Sequence, residues 1–263
     1  MLARVEPDKS VTTGRSAHGP CIACYATSPP QRTSGQLAPQ NRVVAARRFR
    51  AGPRRFAGMA RTTLLSWRRI VSELYTAVRV RCADGDPEGA HAMWREARDR
   101  LFATHPDTPI LPEDRASFRG LSYAPYDPAL RWELPVDLDV QPERRDVPTT
   151  TDGVVPFERF GRLHLPDGRG SLDVWWLNGY GGGVFVPVKD AGAGRTTYGG
   201  GRYLVDTVKG ADLGGAADGS TMVVDLNFAY QPSCAYDPAW VCPLASPGNT
   251  LPGEVVAGEL YTG

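Results

Sequence analysis

The residues with chemistry to offer crowd into the last third of the chain. Asp190, Arg202, Asp225 and Asn227 supply charges and an amide, Tyr198, Tyr230 and Tyr236 supply phenols, and Cys234 supplies a thiol. Arg202 presents a planar fork of donors suited to a carboxylate or phosphate. Met222, Val224, Leu226 and Phe228 alternate with Asp225 and Asn227, so a strand over 220–228 would put the carboxylate and the amide on one face. Aromatic walls carrying a few placed polar groups are the makeup of a small-molecule pocket. These residues define the expected site: a β-barrel pocket for a small anionic metabolite, open to hydrolase or isomerase chemistry. The same residue types also build buried networks that fix turns. A non-catalytic structural or protein-interaction β domain is therefore the alternative.

The thiols and glycines carry weaker signals. Cys234 and Cys242 have no histidine at ligand spacing, since His18, His91, His105 and His164 all lie elsewhere. Their plainest reading is as buried free thiols; a reversible disulfide, or a nucleophile brought close to His105 or His164 by the fold, stays open. Cys21-Ile-Ala-Cys24 has redox or metal spacing but no second pair to complete it. No metal and no cofactor is expected. The runs Gly179–Gly183 and Gly199–Gly201 lack the strand, turn and helix order of a phosphate cradle, and predict turns or bulges.

The elements that must position these residues follow from charge and periodicity. The 263-residue chain carries 30 basic and 29 acidic side chains. Ten of the basic side chains, with only Glu6 and Asp8 against them, fall in residues 1–60. That leaves the remainder net acidic, which argues against nucleic acid as a partner. The Arg-, Ala-, Gly- and Pro-rich stretch 1–58 has no sustained apolar period and reads as a disordered tail or a misannotated start, with Met59 a natural initiator. A basic arm or targeting peptide is the remaining reading of it. No run is long and apolar enough for a membrane span, and five irregular cysteines fit a reducing compartment, so a cytoplasmic location is expected.

Residues 59–263 then read as one domain. Leu64, Leu65, Ile70, Val71, Leu74, Tyr75 and Val78 form a helical stripe. Asp86-Pro87-Glu88 starts a second helix whose buried face is Trp94, Ala97, Leu101 and Phe102, and His105-Pro106 ends it. The predicted helical hairpin covers 62–104. Over 115–263 the period changes to two, with strands predicted at 130–140, 157–165, 171–178, 183–189, 201–208, 220–228 and 253–261. Without helical crossovers these make an antiparallel β-barrel or β-sandwich.

Several separated motifs resemble one family. They are Phe185-Val186-Pro187-Val188-Lys189-Asp190, Thr197-Tyr198-Gly199-Gly200-Gly201-Arg202-Tyr203-Leu204, and the run from Asp225-Leu226-Asn227-Phe228 through Cys234-Ala235-Tyr236. Cys242-Pro243-Leu244, Asn249-Thr250-Leu251 and Ala257-Gly258-Glu259 follow in order, and Trp94-Arg95, Arg98-Asp99, His105-Pro106 and Phe118–Tyr123 precede them. The chain resembles, over about 88–261, the bacterial family catalogued as domain of unknown function 1684. Gln231 stands where that family usually has asparagine, and the stretch after Cys242 is poorer in proline. The resemblance implies a domain boundary and a place for the site, and no reaction.

Overall fold

Local signals set the helical hairpin. In the computed structural model, which describes residues 54–149 and 153–262, α1 spans Arg54–Ala83 and α2 spans Pro87–Thr104. Gly85, at φ 88°, makes the turn between them, a conformation that L side chains rarely adopt. Asp86 caps α2 by accepting from the Gly89 amide at 2.9 Å, and Pro87 occupies the first turn. Helix α2 stops at His105, ahead of Pro106, as the sequence predicts. Only the C-terminal half of the α1 stripe is buried, through Leu74, Tyr75 and Val78; Leu64 and Leu65 remain 46% and 48% exposed. Helix α1 begins ahead of the expected residue 62. The remainder of the tail expected over 1–58, with Cys21 and Cys24, lies outside the described residues.

Among the described residues seven antiparallel strands follow in two sheets: β1 (Arg131–Pro135), β2 (Glu143–Thr149), β3 (Gly153–Leu165), β4 (Gly170–Leu177), β5 (Val184–Val188), β6 (Arg202–Asp206) and β7 (Thr221–Asp225). Five pair in the order β2-β3-β4-β5-β6, and β1 pairs with β7 in a separate ladder. Of the two predicted architectures the open, sandwich-like one is found. The barrel is not, because β7 closes on β1 and leaves β2 and β6 as edges of the larger sheet. The β3–β4 hairpin turns through Pro166–Arg169, between the strands predicted at 157–165 and 171–178, with Asp167 and Gly168 at positive φ. Leu163, Leu172, Val174, Val186, Leu204 and Val224 make the main core, and Trp132, Leu134 and Met222 from the small ladder pack onto it.

Four strand readings are corrected. β2 (ERRDVPT) is an unforeseen edge strand whose charged residues carry no apolar alternation. The strand predicted over 130–140 ends at Pro135. The strand predicted over 220–228 stops at Asp225, and Leu226–Phe228 turn as a 3-10 helix that buries Leu226, Asn227 and Phe228 together. The segment 253–261 makes no ladder. Its one bridge in the described residues joins Glu259 to Tyr123, because its carbonyls are taken by an arginine side chain instead.

A second cluster joins the hairpin to the β half, with Leu74, Tyr75, Val78 and Trp94 packed against Ala211, Leu213 and Phe228. His91 is buried in it, stacked on Trp94 and edge-on to Phe228. Burial first, and then the Arg95 charge, push its pKa down from 6.5 to about 4, against a backbone hydrogen bond with Asn227. The folded value lies below the unfolded one, so the unfolded chain takes up the proton first as pH falls. His91 therefore costs no stability above about pH 6.5 and costs of order 3 kcal/mol by pH 4. Urea unfolding at pH 7.5 and 4.5 is expected to show this loss, with a shallower pH dependence in His91→Gln. An unchanged slope in the variant would rule His91 out as the cause.

Candidate functional site

The expected site residues separate into three groups. Arg202 opens β6 behind Gly201, which has a φ of 87° and where a Cβ would meet the Val188 carbonyl oxygen at 2.9 Å, leaving no room for a side chain. The Arg202 side chain runs inward and is 0% exposed. Its guanidinium donates to Asp190 at 3.0 Å, to the carbonyls of Val255 and Glu259 at 3.1 Å each, and to the carbonyl of Ala257. Asp190 also accepts from Thr197 at 2.9 Å and from the Gly192 amide at 2.8 Å. Burial lowers the Arg202 pKa from its ordinary value, and Asp190 opposes that. With its fork occupied this way, Arg202 acts as a strut for the C-terminal segment.

Asp225 and Asn227 lie together, as expected, but face the loop before β1. Asp225 accepts from Arg131 at 3.1 Å, from the Asn227 amide nitrogen of the side chain at 2.8 Å and from its backbone N–H at 3.0 Å. Asn227 brackets Asp127, accepting from its N–H at 2.9 Å and donating to its carbonyl at 2.8 Å. Burial raises the Asp225 carboxyl pKa in spite of these donors. The pair ties a loop to the end of β7 and does not contact Arg202.

The third group borders open space. Tyr230, paired through its backbone with Tyr203, and Tyr236 line a cavity of about 100 Å³ between the hairpin and the 230–242 segment. Trp67, Tyr75, Trp94 and Phe102 close it from the helices, and Lys209 and Cys242 from the β half. Arg98 lies 5.0 Å from the Trp94 and Tyr230 ring centres. Lys209 pairs with Asp206 at 2.9 Å. Two polar groups here are buried without a hydrogen bond: the Tyr75 hydroxyl and the Trp94 indole N–H. They interact with one another without reaching bonding geometry. Burial pushes the Tyr75 pKa up to about 12, so it stays protonated and able to donate.

Behind this cavity stands Glu259, 0% exposed. Its carboxylate accepts from Arg98 at 2.8 Å, from the Gln231 N–H at 3.0 Å, from the Gln231 amide at 3.3 Å and from the Tyr236 hydroxyl. Arg98 in turn donates to the Tyr123 hydroxyl at 3.0 Å. On the far side a more open, polar cavity of about 400 Å³ is bordered by Asp114, Arg119, Ser122 and Tyr261. Tyr198 and Cys234 sit together nearby, outside both linings, with the Tyr198 hydroxyl 3.2 Å from the Cys234 carbonyl. Arg98, Glu259, Tyr75, Trp94, Tyr123 and Gln231 were not in the expected set. All but Tyr75 fall inside the motif stretches that carry the family resemblance, which was the signal available.

Fold and site together define a class: an open, two-sheet antiparallel β domain capped by a helical hairpin, with a small aromatic cavity at the junction. The chain belongs to the family described as protein of unknown function (DUF1684), whose model matches residues 116–260. It is similar to an uncharacterized protein of Haloarcula marismortui solved by solution NMR, at 32% identity over 68% of this chain and 97% of that one, with a TM-score of 0.50. No curated protein matches the chain. No helix among the described residues is long and apolar enough to cross a membrane. Nor do the described residues contain a group of three or more His, Cys, Asp or Glu side chains that could hold a metal ion.

The Arg202 geometry makes a prediction about stability. Truncating Arg202 to Ala strands the Asp190 carboxylate and several carbonyls in the core, and removing one partner of such a pair costs roughly 3–5 kcal/mol. Urea unfolding is expected to show a loss of that size. A loss below about 1 kcal/mol, the range of a surface ion pair, would contradict the strut.

Proposed function

We propose that the domain binds a small anionic molecule, of the size of a short-chain carboxylate, in the cavity between the hairpin and the 230–242 segment. The observation that carries this reading is the pair of unpartnered buried donors, Tyr75 and Trp94, on the cavity wall. Buried polar groups without partners are rare and costly, and an acceptor placed between these two would satisfy both. Arg98 and Lys209 add positive potential, each partly neutralised by its own carboxylate. The aromatic walls suit an apolar tail. Size supports a small occupant: about 100 Å³ is less than the roughly 150 Å³ that admits benzene.

Binding is favoured over hydrolase or isomerase chemistry for a physical reason. Glu259, the carboxylate behind the cavity, already accepts from four donors, which leaves it poorly placed to take a substrate proton. The pocket of this proposal lies at the helix–sheet junction, and Arg202 supports it from beneath without touching the ligand. A second reading, a protein-interaction domain, has the exposed Leu64 and Leu65 of α1 in its favour.

Thermal-shift and tryptophan-fluorescence titration with acetate, propionate and butyrate test the proposal. A ligand at about 100 times its dissociation constant stabilises the fold by about 2.7 kcal/mol, and quenching of Trp67 or Trp94 reports occupancy. Tyr75→Phe is expected to fold as stably as the wild type, since it deletes an unsatisfied hydroxyl, and to bind about tenfold more weakly. No shift with any carboxylate, or a shift that Tyr75→Phe leaves intact, would overturn this reading, and the former would favour the interaction domain.

A further inference from the structure

The polar cavity on the far side of Glu259 has no part in the proposed function. At about 400 Å³, against about 100 Å³ for the aromatic one, it falls in the size range of small-molecule pockets. The loop 110–122, residues 231–236 and the C-terminal run 259–262 build it. These segments are tied to one another and to the helices. The Leu121 N–H donates to Asp99 of α2 at 2.9 Å, and the Leu260 N–H to the Ser122 carbonyl at 2.8 Å. Gln231 and Tyr236 are fixed through Glu259. Backbone hydrogen bonds from Asp114, Arg115, Ser117 and Phe118 close the turn over 111–118. The cavity therefore has a fixed frame.

Several polar groups on that frame are uncommitted. The Asp114 carboxylate makes no hydrogen bond or ion pair among the described residues, and the Ser122 and Tyr261 hydroxyls make no hydrogen bond. Arg119 uses one amino group on the carbonyls of Ala116 and Phe118, at 2.9 Å each, which leaves its Nε and its other amino group free. Gln231, 7% exposed, stands in the wall that the two cavities share. Its side-chain nitrogen donates to Glu259 at 3.3 Å and to the Leu260 carbonyl at 3.0 Å. Both partners are acceptors, so the remaining atom is the amide oxygen, and it accepts from no donor among the described residues. A largely buried acceptor without a donor is costly.

We propose that this cavity binds a free amino acid with an apolar side chain. A carboxylate and a guanidinium border one cavity without pairing with each other. A simple anion would meet Arg119 but face Asp114, and a simple cation the reverse; a zwitterion satisfies both. Its carboxylate suits the free edge of the Arg119 fork. Its ammonium carries three donors, enough for Asp114 and for the Gln231 oxygen. Leu111, Phe118 and Leu260 supply apolar wall for the side chain. Glu259 borders the cavity too, but Arg98 matches its charge and four donors occupy its oxygens, so it does not compete for the ammonium. Cys234 and Cys242, free and half-buried rather than buried as expected, stand outside this lining. The proposal does not depend on what occupies the smaller cavity.

Calorimetric titration of the full chain at pH 7 with L-leucine, N-acetyl-L-leucine and L-leucinamide tests this, together with amide chemical-shift mapping of the isotope-labelled chain. L-leucine is expected to bind. The two analogues each lack one charge and imitate the C-terminal and N-terminal residues of a peptide; each is expected to bind at least about tenfold more weakly. Asp114→Asn and Arg119→Gln alter exposed side chains, and each is expected to fold as the wild type does and to lose about tenfold in L-leucine affinity. Shifts on binding are expected to centre on the amides of Ser122 and Tyr261, and the Trp94 indole N–H of the smaller cavity should stay in place. No binding of L-leucine at millimolar concentration by either method would overturn the proposal. So would an analogue that binds as tightly as L-leucine, an affinity that survives both substitutions, or shifts centred on Trp94.

Discussion

The structure depends on how residue 259 is held from two sides. Arg202, rising from β6, takes its backbone carbonyl at 3.1 Å, and Arg98, descending from α2, takes its side-chain carboxylate at 2.8 Å. One arginine belongs to the sheet and the other to the hairpin, so the C-terminal segment between them is a polar tie that joins the two halves beside the apolar cluster of Trp94 and Phe228. The contact spans 161 residues of sequence on the helical side and 57 on the sheet side. Both guanidiniums are almost fully buried, and each has a carboxylate partner. Such pairs contribute little net stability over an apolar core, since desolvating the charges offsets most of their attraction, but breaking one is expensive. Their role here is to fix a single position for a segment with no ladder of its own.

That position shapes the candidate site. Gln231 and Tyr236 bind the Glu259 carboxylate and at the same time line the smaller cavity, so the cavity wall is placed by the same carboxylate that Arg98 secures. Tyr123, bridged to Glu259 through the backbone and to Arg98 through its hydroxyl, brings in the loop that borders the larger cavity. The helices supply the unpartnered donors of the pocket and the β half supplies its basic and aromatic floor. Neither makes the pocket alone.

How much of this was legible in the sequence follows from the range of each interaction. The hairpin was legible because its punctuation is local: Asp86-Pro87 and His105-Pro106 act on residues within one turn. The β3–β4 hairpin was legible for the same reason. β2 was not, because an exposed edge strand needs charges rather than alternation. The segment 253–261 looks like a strand because it is half apolar; what decides against a ladder is Arg202, more than fifty residues earlier, taking its carbonyls. Asp225 and Asn227 were correctly paired, but the 3-10 turn after β7 points them at Asp127 rather than at Arg202. Glu259 sits in the stretch that matches the family and Arg98 ahead of it, yet nothing local distinguishes a buried charge pair from two solvated ones.

If residue 259 is the tie, then weakening its hold on the sheet side must be felt in the helices. Native-state hydrogen exchange of Arg202→Lys against the wild type tests this, since lysine keeps the charge opposite Asp190 but loses the fork that reaches three carbonyls. Faster exchange is expected both in 255–260 and in the Leu101–His105 end of α2, where the amides would open as one unit. Faster exchange confined to 255–260, with α2 as protected as in the wild type, would contradict the coupling of the two halves through residue 259.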